Sequence, residues 1–106
     1  MINYEQFSQT ELCVAAILGA ERVKGSEKLL CLQVSLGEEK RQIVAGIGKK
    51  YAPEALVGTQ IIIVANLEPR MLMGLESQGM LLAADSPDGP ILLRPDTDAP
   101  AGAKIK

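Results

Sequence analysis

The chain has 106 residues, 47% of them hydrophobic, which is enough for one domain with a buried core. Acidic residues outnumber basic ones by 13 to 11 and histidine is absent, so the chain is no polycation and lacks the commonest general base and metal ligand. No apolar run approaches the ~20 residues of a membrane span, and the N-terminus lacks the pattern of a secretory signal. Two cysteines without paired spacing, Cys13 and Cys31, are more typical of buried thiols than of a disulfide, which predicts a cytoplasmic protein.

The first elements that the sequence predicts are a short helix and a long strand. Asn3 and Gln6 have the spacing of a capping box, so a helix of one or two turns is expected to begin there. Residues 12–23 then form a long apolar stretch that Gly19 interrupts, which is typical of a bent or bulged strand.

Two more strands and a helical turn follow. Apolar and polar residues alternate over residues 30–36, which predicts a strand with one buried face and one wet face. Residues 40–45 predict a third strand. Residues 52–58 predict a single helical turn, with Pro53 at its first position and Gly58 as its stop.

The second half of the chain is organised around two apolar runs and the polar residues between them. Residues 61–64 predict a buried strand, residues 80–84 predict another, and residues 91–93 predict a last short one. Ser77 and Gln78 supply hydroxyl and amide groups. Gly79 lets a backbone or a ligand come close. An ordinary bulge or turn is the alternative for this segment.

These elements predict a single all-β domain over residues 1–106. Short strands separated by turns indicate a barrel or a sandwich. A five-stranded barrel with a one-turn helix between strands three and four is the OB-fold arrangement, here with a short N-terminal helix and a C-terminal extension. Because Tyr4, Phe7 and Tyr51 fall outside the predicted strands, no aromatic platform for bases is expected. Any nucleic acid would be held through shape, phosphate and 2′-hydroxyl contacts, the mode suited to folded RNA.

Five blocks of the sequence resemble the tRNA-binding domain family, in the right order and over nearly the whole chain. They are GSEKLL at 25–30, RQIVAGI at 41–47, YAPEALVG at 51–58, NLEPR at 66–70 and ESQGM at 76–80. The family includes the C-terminal domain of many bacterial methionyl-tRNA synthetases, free-standing tRNA-binding proteins and export-related chaperones. The resemblance implies a non-catalytic OB-fold domain that forms a homodimer and holds the outside of folded tRNA without sequence specificity. No metal, cofactor or membrane partner is expected.

The resemblance also implies which residues bind RNA. They are Lys28, Arg70, Ser77, Gln78, Gly79 and Met80. The lysine resembles one that the family carries before its second strand, and the last four resemble its polar-Gln-Gly-Met site. The arginine is what remains of a basic cluster, since Glu68, Met71 and Met73 stand where the family usually has cations. Likewise Cys13 replaces an arginine that the family usually carries after its first helix.

Two functions therefore fit the sequence. The first is tRNA binding, by a free-standing protein or by a detached synthetase domain. The second is a protein-binding module of the same fold, either chaperone-like or a dimerisation unit. If residues 70–75 are extended, Met71, Met73 and Leu75 share one face. A methionine-rich stripe suits an adaptable protein surface, and the alternative is that the stripe is core.

Overall fold

A computed structural model describes all of residues 1–106, with 39% of them in strands and 8% in helices. The strands are β1 (Leu12–Arg22), β2 (Leu30–Ser35), β3 (Lys40–Ala45), β4 (Gln60–Val64), β5 (Arg70–Leu72), β6 (Leu75–Ser77), β7 (Met80–Leu81), β8 (Ala83–Ala84) and β9 (Ile91–Leu92). The helices are α1 (Tyr4–Ser8), before β1, and α2 (Pro53–Leu56), between β3 and β4. Neither helix is long and apolar enough to cross a membrane.

One antiparallel sheet of five strands, in the order β3-β2-β1-β4-β7, curls into a half-barrel. β1 lies at its centre and pairs with β4 through its first half and with β2 through its second. The register against β2 shifts between Ile17 and Gly19, as the bulge predicted at the glycine requires. The bulge bends β1 close to the point where its pairing with β4 ends and its pairing with β2 begins. The predicted β-rich, OB-like fold is confirmed.

Both predicted helices are present. In α1, Asn3 Oδ1 accepts a hydrogen bond from Gln6 N at 2.9 Å, and Gln6 Oε1 accepts one from Asn3 N at 3.0 Å. This reciprocal pair is the predicted capping box. Pro53 occupies the first turn of α2, and the helix contributes the fully buried Leu56 to the core.

The core fills the inside of the half-barrel. Its thirteen buried residues are Cys13, Ala15, Ile17, Leu30, Leu32, Val34, Ile43, Ala45, Ile47, Leu56, Ile61, Ile63 and Leu92. Alternate residues of β2 all lie in this set, which confirms the period-two pattern predicted for the inner face of that strand.

A second, smaller core lies on the outer face of β2 and β3. It consists of the buried Val23, Cys31 and Val44, packed against the partly buried Leu29, Leu72 and Leu75. The last two belong to the β5–β6 hairpin, which therefore covers this part of the sheet. The prediction that the other face of β2 is wet is wrong at Cys31, which is only 5% exposed.

Residues 70–77 form that hairpin and not one extended segment. Arg70 lies opposite Ser77 across the two strands. Met73 and Gly74 make the turn, with φ angles of 50° and 81°. Positive φ at both residues is what a two-residue type I′ turn requires, and it is uncommon for a residue with a Cβ such as Met73.

The reversal of the chain separates the methionine stripe that an extended segment would have formed. Leu75 lies opposite Leu72, so these two share the inner face of the hairpin. Met71 lies opposite Glu76 on the outer face and is 65% exposed. The expected shared face is therefore wrong, and so is the alternative that these methionines are core, because Met73 is 58% exposed as well.

The C-terminal extension runs beside the start of β1. Gly102 N donates to Val14 O at 2.7 Å, Ile105 N donates to Leu12 O at 2.9 Å, and Val14 N donates to Ala103 O at 2.9 Å. This tail occupies the part of the β1 edge that β2 does not reach, since β2 pairs only from Ala16 onwards.

Candidate nucleic-acid interface

The polar residues at 77–79 join the two edges of the half-barrel, β3 and β7. Ser77 Oγ accepts a hydrogen bond from Val44 N at 2.9 Å, and Gln78 Oε1 accepts one from Gln42 N at 3.0 Å. Gln78 N donates in turn to Gln42 O at 2.7 Å. Two side-chain oxygens thus stand where the carbonyl oxygens of a neighbouring strand would otherwise be needed.

This junction has no room for larger groups. Ser77 is 4% exposed, and its hydroxyl also donates to Gly79 O at 3.0 Å. Gly79 has a φ angle of 136°, and a Cβ there would lie 2.9 Å from Val64 O and 3.1 Å from Ile43 Cδ1. The glycine therefore lets the chain approach its own backbone, and the serine hydroxyl is occupied by the fold.

Two arginines are also committed to the fold. Arg41 Nη1 donates to the carbonyl oxygens of Ala65 and Gln78, which ties β3 to the segment before β7. Arg22 Nη1 donates to Gly48 O at 2.9 Å, which ties the end of β1 to the loop after β3.

Lys28 and Arg70 lie together at a depression beside the hairpin. The depression has a volume of about 360 Å³, and its lining consists of Lys28, Leu29, Val44, Ala45, Gly46, Arg70, Leu72, Met80 and Leu81. Three predicted RNA-binding residues thus meet here from three parts of the chain: the loop before β2, the start of β5 and the start of β7. Neither cation is in an ion pair, because the only one in the chain joins Arg41 to Glu39. We call this site the Lys28–Arg70 depression.

The Lys28–Arg70 depression has an apolar floor under charged side chains. Val44 is buried in this floor, and Met80 at its side is 46% exposed. A Cβ at Gly46 would lie 2.7 Å from Lys28 Cε, so the glycine allows the aliphatic stem of the lysine to lie along the chain. The stem covers apolar surface while the ammonium group keeps access to water.

The loop after β3 packs against the loop before β2. Gly48 N donates to Lys28 O at 2.7 Å. A Cβ at Gly48 would lie 2.8 Å from Lys28 O, so only glycine lets the two loops meet. The next two residues, Lys49 and Lys50, do not line the Lys28–Arg70 depression.

The tip of the β5–β6 hairpin lies beside the loop between β1 and β2. A Cβ at Gly25 would lie 3.5 Å from Met73 Cε, at ordinary van der Waals distance. OB folds bind oligonucleotides on the face of strands two and three and through the loops between strands one and two and between strands four and five. The hairpin occupies the connection from β4 to β7, so the Lys28–Arg70 depression lies at the place that this fold uses for nucleic acid.

The two thiols are buried and unpaired, as predicted. Burial raises the pKa of Cys13, an effect that the charge of Arg41 partly opposes. Burial likewise raises the pKa of Cys31, helped by the nearby carboxylate of Glu21. Raised pKa values keep both groups in the neutral thiol form, which is a poor nucleophile.

Comparison with known sequences gives a match over nearly the whole chain. Residues 12–104 match the family model described as "Putative tRNA binding domain". The chain is 56% identical over 106 residues to a methionine–tRNA ligase of Methanothrix thermoacetophila and 57% identical over 104 residues to one of Caldanaerobacter subterraneus subsp. tengcongensis. These alignments cover 100% and 98% of this chain but only 16% of each ligase.

Solved structures of two differently named proteins share the fold. A MetRS-related protein from Pyrococcus horikoshii superposes with a TM-score of 0.94 at 36% identity, covering 100% of this chain and 98% of that one. The chaperone CsaA from Bacillus anthracis superposes with a TM-score of 0.92 at 32% identity, covering 100% and 99%.

Proposed function

This chain belongs to the tRNA-binding domain family, and on that premise we propose that it binds folded tRNA without sequence specificity. The observation that supports this most is that Lys28 and Arg70, two cations that form no ion pair, lie at the rim of one depression. Cations without a partner in the chain are free to neutralise phosphates, and phosphate contacts carry no sequence information. We further propose a non-catalytic cytoplasmic module, either free-standing or the C-terminal domain of a methionyl-tRNA synthetase.

The six predicted RNA-binding residues take two kinds of role in this proposal. Lys28 and Arg70 supply the positive charge that attracts RNA, and Met80 offers an apolar contact beside them. The segment 77–79 acts indirectly: its hydrogen bonds to β3 fix the hairpin whose first residue is Arg70. Ser77 is therefore a positioning residue, since its hydroxyl already bonds Val44 N and Gly79 O.

The test compares Lys28→Ala with Lys40→Ala in titrations against several unrelated tRNAs at several salt concentrations. Both variants lose one positive charge, but Lys40 starts β3, about 17 Å along the strand from Ala45 at the depression. Lys28→Ala should weaken binding several-fold for every tRNA and make the salt slope shallower by about 0.7–0.9. Lys40→Ala should change both quantities much less.

A result of the opposite kind would contradict these roles. Tyr51 lies outside the site, and its hydroxyl accepts a hydrogen bond from Leu92 N at 3.1 Å. If Tyr51→Ala abolished tRNA binding in a folded protein while Lys28→Ala left it unchanged, the cations at the depression would not be the binding groups.

We also propose that the chain forms a homodimer through the surface around α1 and the tail. A groove of about 600 Å³ lies there, with Tyr4, Phe7, Leu12 and Ile105 in its lining. Tyr4 is 76% exposed and its neighbour Ile2 is 68% exposed, and exposed apolar groups that lie together mark protein interaction sites. Sedimentation equilibrium should give twice the chain mass at tens of micromolar, and a monomer mass would count against the dimer.

Peptide binding is a second candidate function. The fold is shared with a chaperone, and Met71, Met73 and Met80 are each 46% or more exposed around the hairpin. Flexible methionine side chains suit surfaces that accept varied peptides.

A triple change separates the two functions. The substitutions Glu68→Lys, Met71→Lys and Met73→Arg place three cations beside Arg70. If the surface binds RNA, tRNA affinity should rise and the salt slope should steepen by roughly two units. If the surface binds peptides or a second copy, the same change should weaken that binding and add only weak affinity for RNA. Titration against tRNA, with the dimer mass measured in parallel, distinguishes these outcomes.

A further inference from the structure

We propose that the Lys28–Arg70 depression takes up a single unpaired nucleotide of RNA, with the base on the apolar floor and its phosphate on Lys28. This inference rests on the proposed RNA binding and adds the class of RNA feature that the site selects. It differs from a purely phosphate-based contact, which would treat paired and unpaired RNA alike.

The size and lining of the depression support one nucleotide as the occupant. Its volume of about 360 Å³ is near the lower end of the ~300–1,000 Å³ of small-molecule sites. Six of its nine lining residues are hydrophobic. A phosphate gains nothing from such a floor, and a continuous duplex keeps the apolar faces of its bases stacked inside the helix. An unstacked base has an apolar face that the floor would cover.

Two side chains at the rim have the right chemistry to cover the base. The guanidinium group of Arg70 is planar and unpaired, and bases stack on such planes in single-stranded RNA recognition. Met80 brings a polarisable thioether, which makes favourable contacts with aromatic rings. The chain has no aromatic residue in the lining, so these two groups take the place of the aromatic platform found in other OB folds.

The surrounding structure fixes the backbone on both sides of the depression. The stem of Lys28 lies over Gly46, which brings its ammonium group to the rim. The backbone of Arg70 is held because it pairs across the hairpin with Ser77, whose hydroxyl is bonded to β3. The guanidinium group itself is exposed and in no ion pair, so it is free to lie over a bound base.

The experiment uses three RNA hairpins that differ at one position. One carries a single unpaired nucleotide in its stem, the second carries an abasic residue at that position, and the third is fully paired. The intact RNA should bind at least about 5-fold tighter than the abasic RNA, the lower end of the factor expected for a base stacked on an aromatic side chain. The abasic and paired RNAs should bind alike, since both offer only backbone.

Variants then identify the groups that hold the base. Arg70→Lys keeps the charge and loses the plane, and Met80→Ala loses the thioether; each should reduce the preference for the intact RNA and leave abasic binding nearly unchanged. Met71→Ala is the matched control, because Met71 lies on the outer face of the hairpin and is 65% exposed. It should keep the full preference. Thermal unfolding of each variant confirms that the fold is intact.

The outcomes distinguish this inference from the function on which it rests. Equal affinity for intact and abasic RNA, with binding still weakened by salt and by Lys28→Ala, would overturn the nucleotide site and leave tRNA binding in place. No binding to any RNA would overturn both. An apolar peptide that competes for the depression, while the intact and abasic RNAs bind alike, would overturn the nucleotide site in favour of a peptide.

Discussion

One hydroxyl group, Ser77 Oγ, serves both edges of the half-barrel by accepting from Val44 N and donating to Gly79 O. Sequence patterns indicated a polar segment here but not this task, because Val44 lies far away along the chain. Lys28, Arg70 and Met80 were predicted from the family resemblance, and the structure brings them to one depression. Gly46 and Gly48 were not predicted to matter here, since each contributes only by lacking a Cβ that would collide with Lys28.

Removing that hydroxyl should destabilise the protein. Ser77→Ala leaves the buried Val44 N–H without an acceptor, so the free energy of unfolding should fall by about 1–3 kcal/mol. Ser8→Ala is the control, because Ser8 is exposed and bonds only within α1. Urea unfolding of both variants gives the comparison, and equal stabilities would show that Ser77 does not hold the junction.

The buried thiols should make stability depend on alkaline pH. Burial raises the pKa of both groups, so the folded state binds their protons more tightly than the unfolded state does. The free energy of unfolding should therefore be constant near neutral pH and fall as pH rises above about 8.5, the ordinary thiol pKa. Urea unfolding between pH 7 and pH 10 measures this, and the double variant Cys13→Ala, Cys31→Ala should show a smaller fall.

Among the elements, residues 80–84 were predicted as one strand but form β7 and β8, which belong to different sheets. The β5–β6 hairpin was not predicted by sequence patterns at all. The helix cap at Asn3, the bulge at Gly19 and the helical turn at Pro53 all have strong local signals, and all are present. The hairpin turns at Met73 and Gly74, whereas two-residue turns of this kind usually begin with asparagine, aspartate or glycine. Packing of Leu72 and Leu75 on the outer core outweighs this weak local preference.

A better residue at position 73 should stabilise the turn of the β5–β6 hairpin. Asparagine tolerates a positive φ better than methionine does, so Met73→Asn should raise the free energy of unfolding by up to about 1 kcal/mol. Met71→Asn introduces the same side chain on the exposed strand face, where asparagine is disfavoured, and should be neutral or destabilising. Thermal unfolding checks the pair; a loss of stability in Met73→Asn as large as in Met71→Asn would contradict the strain assigned to this turn.

For the whole molecule, the sequence predicted a β-rich, OB-like fold with a C-terminal extension, and both are present, with the sheet curled into a half-barrel. It did not predict where the extension lies. The tail has no alternating apolar pattern, and its partner β1 is nearly the whole chain away, so local signals say nothing of this contact.

Deleting residues 102–106 tests the contribution of the tail. The deletion removes its three backbone hydrogen bonds to β1 and leaves the buried Val14 N–H without an acceptor. The free energy of unfolding should fall by at least about 2 kcal/mol. Deleting Lys106 alone keeps these bonds and should have little effect in the same urea titration. If the longer deletion had the same free energy of unfolding as the full chain, the tail would not contribute to the stability of the sheet.

The position of the tail also has a consequence for folding during synthesis. Within this domain, β1 leaves the ribosome before the segment that covers its free edge, because that segment follows all the strands in the chain. Until then a growing chain exposes an unpaired strand edge, which can pair with the same segment of a neighbouring chain.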